Sequence, residues 1–349
     1  MNAVAVETGS VVLYWSAVFI AIGIAAGLAL TLALYPKYGR GRNTAVWVFF
    51  PIALLLSVLF SRALHWYCHI EYYRSFWSAM TDYSTGSFVL PGVLLGTWAA
   101  AALVRRTGLA PSTGGLLDAA APGMAVVIAL IRFSAIFNRS CRGRPVITDP
   151  AFQGLPFGAA MTDAAGNVDY RFATFFVEFL LMLAVAAVLL LCCLTGRRRP
   201  MKGGRAPDGN VARLFLLLYG GIEIVMDSTR YDSHLMHFTL IKRLNPYASF
   251  ISVAQIVAAV TILCVFIYFL RLSVKENGFR PYHAAAIALY AASLVGAGYF
   301  GEYRVQRTGL FLQCYTVMTI SVLVMLLAVG LICLTCVDRT RPAQPAEQT

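Results

Sequence analysis

Residues 172–195 read FATFFVEFLLMLAVAAVLLLCCLT, with one charged side chain, Glu178. The length of this run decides its environment. A helix needs about 20 mostly apolar residues to cross a hydrocarbon layer roughly 30 Å thick. That layer offers no water to the backbone, so the segment must satisfy its own N–H and C=O groups as a helix. Working outward, similar apolar blocks recur at 11–35, 45–64, 87–104, 119–138, 211–229, 248–270, 281–299 and 311–336. The shortest of these, 87–104 and 211–229, are the least span-like. The chain has 349 residues, 59% hydrophobic and 13% charged, whereas a soluble domain carries about a quarter charged residues. The expected fold is an all-α integral membrane protein, a polytopic bundle of about nine transmembrane helices.

The net charge of +12 does not point to nucleic acid, because the basic residues sit in short connections between apolar blocks. They cluster at Lys37, Arg40 and Arg42; at Arg105 and Arg106; at Arg197, Arg198, Arg199, Lys202 and Arg205; at Arg271, Lys275 and Arg280; and at Arg339 and Arg341. These are every second connection. Lys and Arg near span ends stay cytoplasmic, which predicts the N terminus outside and the C terminus inside, as an odd number of spans requires. The first ten residues have no basic stretch and carry Glu7, so the first block reads as a retained span and not a cleaved leader. Stretch 196–210, GRRRPMKGGRAPDGN, reads as a flexible cytoplasmic linker. Residues 338–349 read as a short disordered cytoplasmic tail.

Charged side chains inside spans are costly and tend to face a bundle interior or a cavity. Arg132 interrupts MAVVIALIRFSAIFN, residues 124–138. Glu178 lies early in the fifth block. Glu223, Asp227 and Arg230 follow in the sixth at i, i+4 and i+7, on one helical stripe. Asp227 and Arg230 are near enough to pair, and Arg132 is a candidate cation for the rest of the stripe. All are expected toward the outer half, at similar depth. Two readings fit: a buried structural ion network, or a polar cavity for an anionic ligand such as a phospholipid headgroup, since the arginine fork matches phosphate.

His65 and His69 fall at i, i+4 if the second helix continues outward, as metal ligands or as structural histidines in an interfacial aromatic cluster. His234 and His237 raise the same pair of readings, and His283 reads as an interfacial residue on the inner side. The CxxC of Cys333 and Cys336 has no second pair, so no metal site is expected. Cys68 and Cys141 fall on the outer side, where a disulfide between them or two free thiols both fit. No HExxH, Gly-x-Ser-x-Gly or nucleotide-binding glycine loop occurs.

RFSAIFNRSCRGR, Arg132 to Arg144, resembles the signature Arg-Ile-Gly-Asn-Phe-x-Asn-Gly-Glu-x-x-Gly-Arg of the prolipoprotein diacylglyceryl transferase family. Arg132, Asn138, Gly143 and Arg144 match; Ala135 replaces the first Asn and Ser140 the Glu. RFATFFVE, Arg171 to Glu178, resembles Arg-His-Pro-Ser/Thr-Gln-Leu-Tyr-Glu, with Phe172 in place of the His. EIVMDSTRYD, Glu223 to Asp232, resembles Arg-Phe-x-x-Glu-x-x-Arg-x-Pro-Asp: Arg230 matches, Asp227 replaces Glu, and Glu223 reverses the sign of the first Arg. SFVLPGVLLG, Ser87 to Gly96, resembles Ser-Phe-His-Gly-Gly-Leu-x-Gly without its His, and LYWSAVF, Leu13 to Phe19, resembles a Trp-Tyr-Gly segment with Ser16 for the Tyr.

The resemblance covers roughly residues 10–270 and implies a seven-span transferase-like membrane domain at 1–270, with two additional transmembrane helices at 271–337. It implies a multi-pass protein of the bacterial cytoplasmic membrane that moves a diacylglyceryl group from phosphatidylglycerol to the lipobox cysteine thiol of a prolipoprotein. Glycerol phosphate leaves, and no cofactor takes part. Arg132 and Arg230 are then expected on the leaving phosphate. Asn138, Gly143, Arg144, Glu178 and Glu223 are expected around the substrate. Asp227, His65 and His69 are alternatives for the base that the absent family His would supply. A non-catalytic descendant that binds phospholipid or lipoprotein precursors stays open, as does a small-solute transporter, although no internal repeat is present.

Overall fold

The computed structural model describes residues 4–8, 11–39, 41–68, 70, 73, 75–81, 89–138, 140–162, 166–195, 208–231 and 251–337. His69, His234, His237 and the 338–349 tail lie outside the described residues. The architecture is mostly helical. Its helices are α1 (Trp15–Leu34), α2 (Thr44–Cys68), α3 (Phe76–Thr81), α4 (Leu90–Arg106), α5 (Thr113–Asn138), α6 (Thr174–Leu194), α7 (Asn210–Thr229), α8 (Val253–Asn277), α9 (Pro281–Val295), α10 (Arg304–Thr308) and α11 (Phe311–Cys336). A π-helical stretch, Gly296–Tyr303, joins α9 to α10. Each expected apolar block contains a helix. Among the described residues, seven helices are long and apolar enough to cross a membrane: Trp15–Lys37, Thr44–Cys68, Thr113–Phe137, Thr174–Leu194, Val253–Asn277, Pro281–Thr308 and Phe311–Cys336. The two blocks read as least span-like, 87–104 and 211–229, fall outside this set: α4 has 17 residues, and α7 carries Arg213, Glu223 and Asp227. Two small antiparallel hairpins were not expected: β1 (Val4–Thr8) with β2 (Val11–Tyr14), and β3 (Gly158–Thr162) with β4 (Val168–Phe172).

Lipid tails are as apolar as leucine, so membrane helices associate through close packing and interhelical hydrogen bonds. The contact of α2 with α4 follows this rule. Gly92 and Gly96 of α4 face Ser57 and Ser61 of α2, and a β-carbon at Gly96 would lie 2.5 Å from Ser57 N. The two hydroxyls bond across the seam: Ser57 Oγ donates to Val93 O at 3.1 Å and Ser61 Oγ to Val89 O at 3.0 Å. Helix α1 crosses α5 where Gly27 meets Gly123. One core joins α1, α2, α4, α5, α6 and α7. A second joins the end of α7 to α8, α9 and α11. The expected domain limit at 270/271 thus falls inside α8, which packs with the C-terminal helices.

Polar networks close both ends of the bundle. At one end, Asp118 of α5 is buried and accepts from Gly209 N at 2.7 Å and Ala212 N at 2.8 Å, capping the first turn of α7 from a neighbouring helix. At the same end His283, expected at the interface, is fully buried. Its Nδ1 accepts from Arg280 N at 2.9 Å, so its Nε2 carries the proton and donates to Ser273 Oγ at 2.8 Å. Ser273 Oγ also meets Thr335 Oγ1 at 2.6 Å, so one imidazole ties together α8, α9 and α11. Arg105, Arg106, Arg271, Lys275 and Arg280 lie toward this end, opposite Arg132 and Asp227.

Cys68 and Cys141 are both buried thiols and do not form the disulfide considered from sequence. They sit in separate packing neighbourhoods. Cys68 ends α2, which packs on α4, while Cys141 belongs to a small cluster with Ala135, Ala173 and Phe175.

The α2–α4 seam gives a test. Gly96→Ala is expected to destabilise the protein by about 1–3 kcal/mol through overpacking, read as a lower thermal midpoint in detergent. Gly330→Ala, where a β-carbon meets nothing within 4 Å, should leave the midpoint unchanged.

Candidate functional site

The site forms where α5 and α7 end and α6 and α8 begin. The segment after α5 is the organiser. Cys141 has a positive φ of 54°, and the chain then runs as a single strand between β4 and the end of α7. Gly143 N donates to Phe172 O at 2.7 Å, Phe172 N to Pro145 O at 3.0 Å, and Ile147 N to Tyr170 O at 2.7 Å. On the other side Arg144 N donates to Thr229 O, and Tyr231 N to Arg142 O, both at 2.7 Å. Gly143 lies opposite Arg230 in this pairing. A β-carbon on Gly143 would lie 2.6 Å from Phe172 Cβ, so the close approach requires glycine. The seam draws residues from 86 positions apart into contact: Arg144 Nε donates to Arg230 O at 3.2 Å.

Arg132 is buried inside this frame, and its guanidinium is already engaged. Nη2 donates to both Glu223 oxygens at 3.2 and 3.0 Å, and Nε lies 2.9 Å from Glu178 Oε2. The Glu178 contact is an ion pair without hydrogen-bond geometry, and neither Glu178 oxygen has a hydrogen-bond donor among the described residues. The third nitrogen, Nη1, lies 3.8 Å from Cys141 Sγ. Side-chain exposures of 7% for Arg132, 2% for Glu178 and 4% for Glu223 place all three in the interior.

One helical turn further, Asp227 pairs with Arg230 Nη1 at 3.2 Å. Its other oxygen accepts from Ser252 Oγ. Thr229 Oγ1 donates to Met226 O at 2.7 Å and therefore accepts from Thr174 Oγ1, at 2.8 Å, which joins the start of α6 to the end of α7. Helix α8 begins beside them with a capping box, in which Ser252 Oγ accepts from Gln255 N and Gln255 Oε1 accepts from Ser252 N. On the outside of α5, Phe137 stacks with Trp15 and Phe19 of α1, and Phe133 packs tilted against Phe19 and against Phe179 of α6, giving the site an aromatic flank.

The structure thus brings together Arg132, Glu178, Glu223, Asp227, Arg230, Gly143 and Arg144. Asn138 is the last residue of α5. His65 stands apart on α2, buried, with Nε2 3.1 Å from Tyr73 Oη. Ser252, Gln255, Glu302 and Tyr315 were missed, because uncharged polar residues in apolar blocks give little signal and Glu302 falls in a connection. Arg62 was missed although it interrupts an apolar block; it is buried and donates to the Ala79 carbonyl, which fastens α3 against the end of α2.

Removing one partner of a buried pair leaves the others uncompensated. Arg132→Met is therefore expected to cost about 3–5 kcal/mol of stability, while Glu223→Gln, which keeps an acceptor for Nη2, costs less. Thermal unfolding of the two variants in detergent checks the order.

Comparison with known proteins supplies the family. The profile of the prolipoprotein diacylglyceryl transferase family matches residues 3–271. The chain is also similar to the phosphatidylglycerol--prolipoprotein diacylglyceryl transferases of Streptococcus pyogenes serotype M5 (strain Manfredo) and serotype M49 (strain NZ131). Each is 26% identical over 251 residues, covering 71% of this chain and 90% of the relative. The match takes in every residue of the Arg132–Arg230 cluster and stops within α8. With its apolar spans and this match, the protein is a multi-pass membrane protein, and the chain belongs to the prolipoprotein diacylglyceryl transferase family, a family of transferases.

Proposed function

We propose that this protein transfers the diacylglyceryl group of phosphatidylglycerol to the lipobox cysteine thiol of a prolipoprotein, at the outer face of the bacterial cytoplasmic membrane. The observation that carries the reading is the seam at Gly143 and Arg230, which sets Arg144 and Arg230 side by side, with Asp227 paired to Arg230, at one end of the bundle. In the transfer, the thiol sulfur bonds to the glyceryl carbon that carries the phosphate. The bond from that carbon to the phosphate oxygen breaks, and glycerol phosphate leaves with the bonding electrons. Cations beside the leaving oxygens stabilise the charge that develops there.

Arg230 and Arg144 take that role. Arg132, expected to share it, is held by Glu178 and Glu223 and instead balances their charge. Asp227 aims Arg230, and both its oxygens are occupied. Glu178 is the better acceptor for the thiol proton, because its oxygens receive no hydrogen bond among the described residues. A second reading, a family member that binds phospholipid or prolipoprotein without turnover, is supported by one observation: Glu223 neutralises Arg132.

Purified protein incubated with phosphatidylglycerol and a lipobox-cysteine peptide is expected to release glycerol phosphate and add a diacylglyceryl mass to the peptide. Arg230→Ala should lower kcat by about 10²–10³, as loss of one charge-stabilising donor does, and Glu178→Gln should lower it comparably. Full activity of Arg230→Ala would remove the phosphate assignment. No adduct, with an active relative run alongside, would favour binding without turnover.

A further inference from the structure

Residues 281–337 lie beyond the stretch that matches the family profile, yet they reach the site. Glu302, in the π-helical stretch between α9 and α10, is 3% exposed. Its Oε2 accepts from Gln255 Nε2 at 3.0 Å and its Oε1 from Gln306 Nε2 at 2.7 Å. Among the described residues it has no ion pair. Burying a carboxylate without a cation is costly, and π-helical turns frequently mark functional positions. The carboxylate also orients its neighbour. It only accepts, so the Gln255 amide must turn its nitrogen toward Glu302. Its oxygen then faces Ser252 N, at 3.0 Å, and the same nitrogen also donates to Ile224 O at 3.1 Å. Ser252, held in this way, donates to Asp227, and Asp227 holds Arg230. From α11, Tyr315 Oη donates to Ser228 O at 3.2 Å, between Asp227 and Thr229.

We propose that Glu302 is a positioning residue, carried to the site by the helices beyond the family match, which fixes Asp227 and the aim of Arg230 through Gln255 and Ser252. The inference rests on the transferase reading for its first measurement. A residue acting only through Asp227 has no further effect once Asp227 cannot pair, whereas a residue that merely stabilises the bundle adds its loss in any background. Glu302→Leu is expected to lower kcat about tenfold with KM for phosphatidylglycerol within about twofold, the pattern of an interaction made mainly in the transition state. Glu302→Gln, whose one carbonyl oxygen still accepts from Gln255, should recover most of the activity. The double variant Glu302→Leu/Asp227→Ala, in which position 227 has no oxygen to pair, should be no slower than Asp227→Ala alone. Wild-type activity in Glu302→Leu, or losses that multiply in the double variant, would overturn the proposal. Should Glu302→Leu not fold, Gln255→Leu/Glu302→Leu, which removes both ends of the buried hydrogen bond, takes its place in the cycle. Should the wild type release no glycerol phosphate, that result counts against the transferase reading alone. The same cycle is then read on phosphatidylglycerol retention in native mass spectrometry. There a roughly tenfold weakening by Glu302→Leu that vanishes beside Asp227→Ala supports the positioning role, and additive weakening overturns it.

Discussion

A guanidinium held between two carboxylates in the interior of a membrane protein constrains everything around it. Arg132 on α5 meets Glu178 on α6 and Glu223 on α7, and none of the three is tolerable there without the others. The requirement fixes the rotation of three helices about their axes and their relative height. Once they are set, the end of α7 stands beside the start of α6, where Thr174 and Thr229 bond. The segment after α5 can then be threaded between them.

That threading converts a membrane bundle into a site. Irregular backbone at the end of a bundle leaves peptide groups in need of partners. Residues 141–147 satisfy theirs on both sides, against β4 and against the end of α7. The consequence is chemical as well as structural, because the same bonds carry Arg144 to Arg230. The charge reversal at Glu223 has its own logic in this setting. Where the motif has its first arginine, this chain has a glutamate, which pairs with Arg132 in the interior, while Asp227 pairs with Arg230.

Several particulars were legible in the chain itself. The i, i+4, i+7 spacing of Glu223, Asp227 and Arg230 predicts one stripe, and the stripe is there, with Asp227 bonded to Arg230. Arg132 was a candidate cation for the stripe, because a charge in the middle of an apolar run has few ways to be satisfied, and it pairs with Glu223. The polar residues that support them were not legible. Ser252 and Gln255 look like ordinary helix-start residues, and nothing local says that their partners are Asp227 and Glu302. Asp118 sits at the edge of an apolar block, where a carboxylate usually meets water; only the arrival of α7 explains its burial.

The sequence by itself determined the environment and the helices, because run length and apolarity answer to the thickness of the hydrocarbon layer and to the backbone's need for internal hydrogen bonds. It also determined which charges had to find partners, because an unpaired charge in that layer is too costly to keep. Tertiary structure alone decided which partners they found, how the strand-like segment after α5 joins Gly143 to Arg230, that Cys68 and Cys141 are kept apart, and that the C-terminal helices touch the site. The physical reason is that periodicity records which face of a helix is buried, while the identity of the neighbour depends on close approach between segments far apart in the chain, set by glycine contacts and side-chain shape that no local pattern encodes.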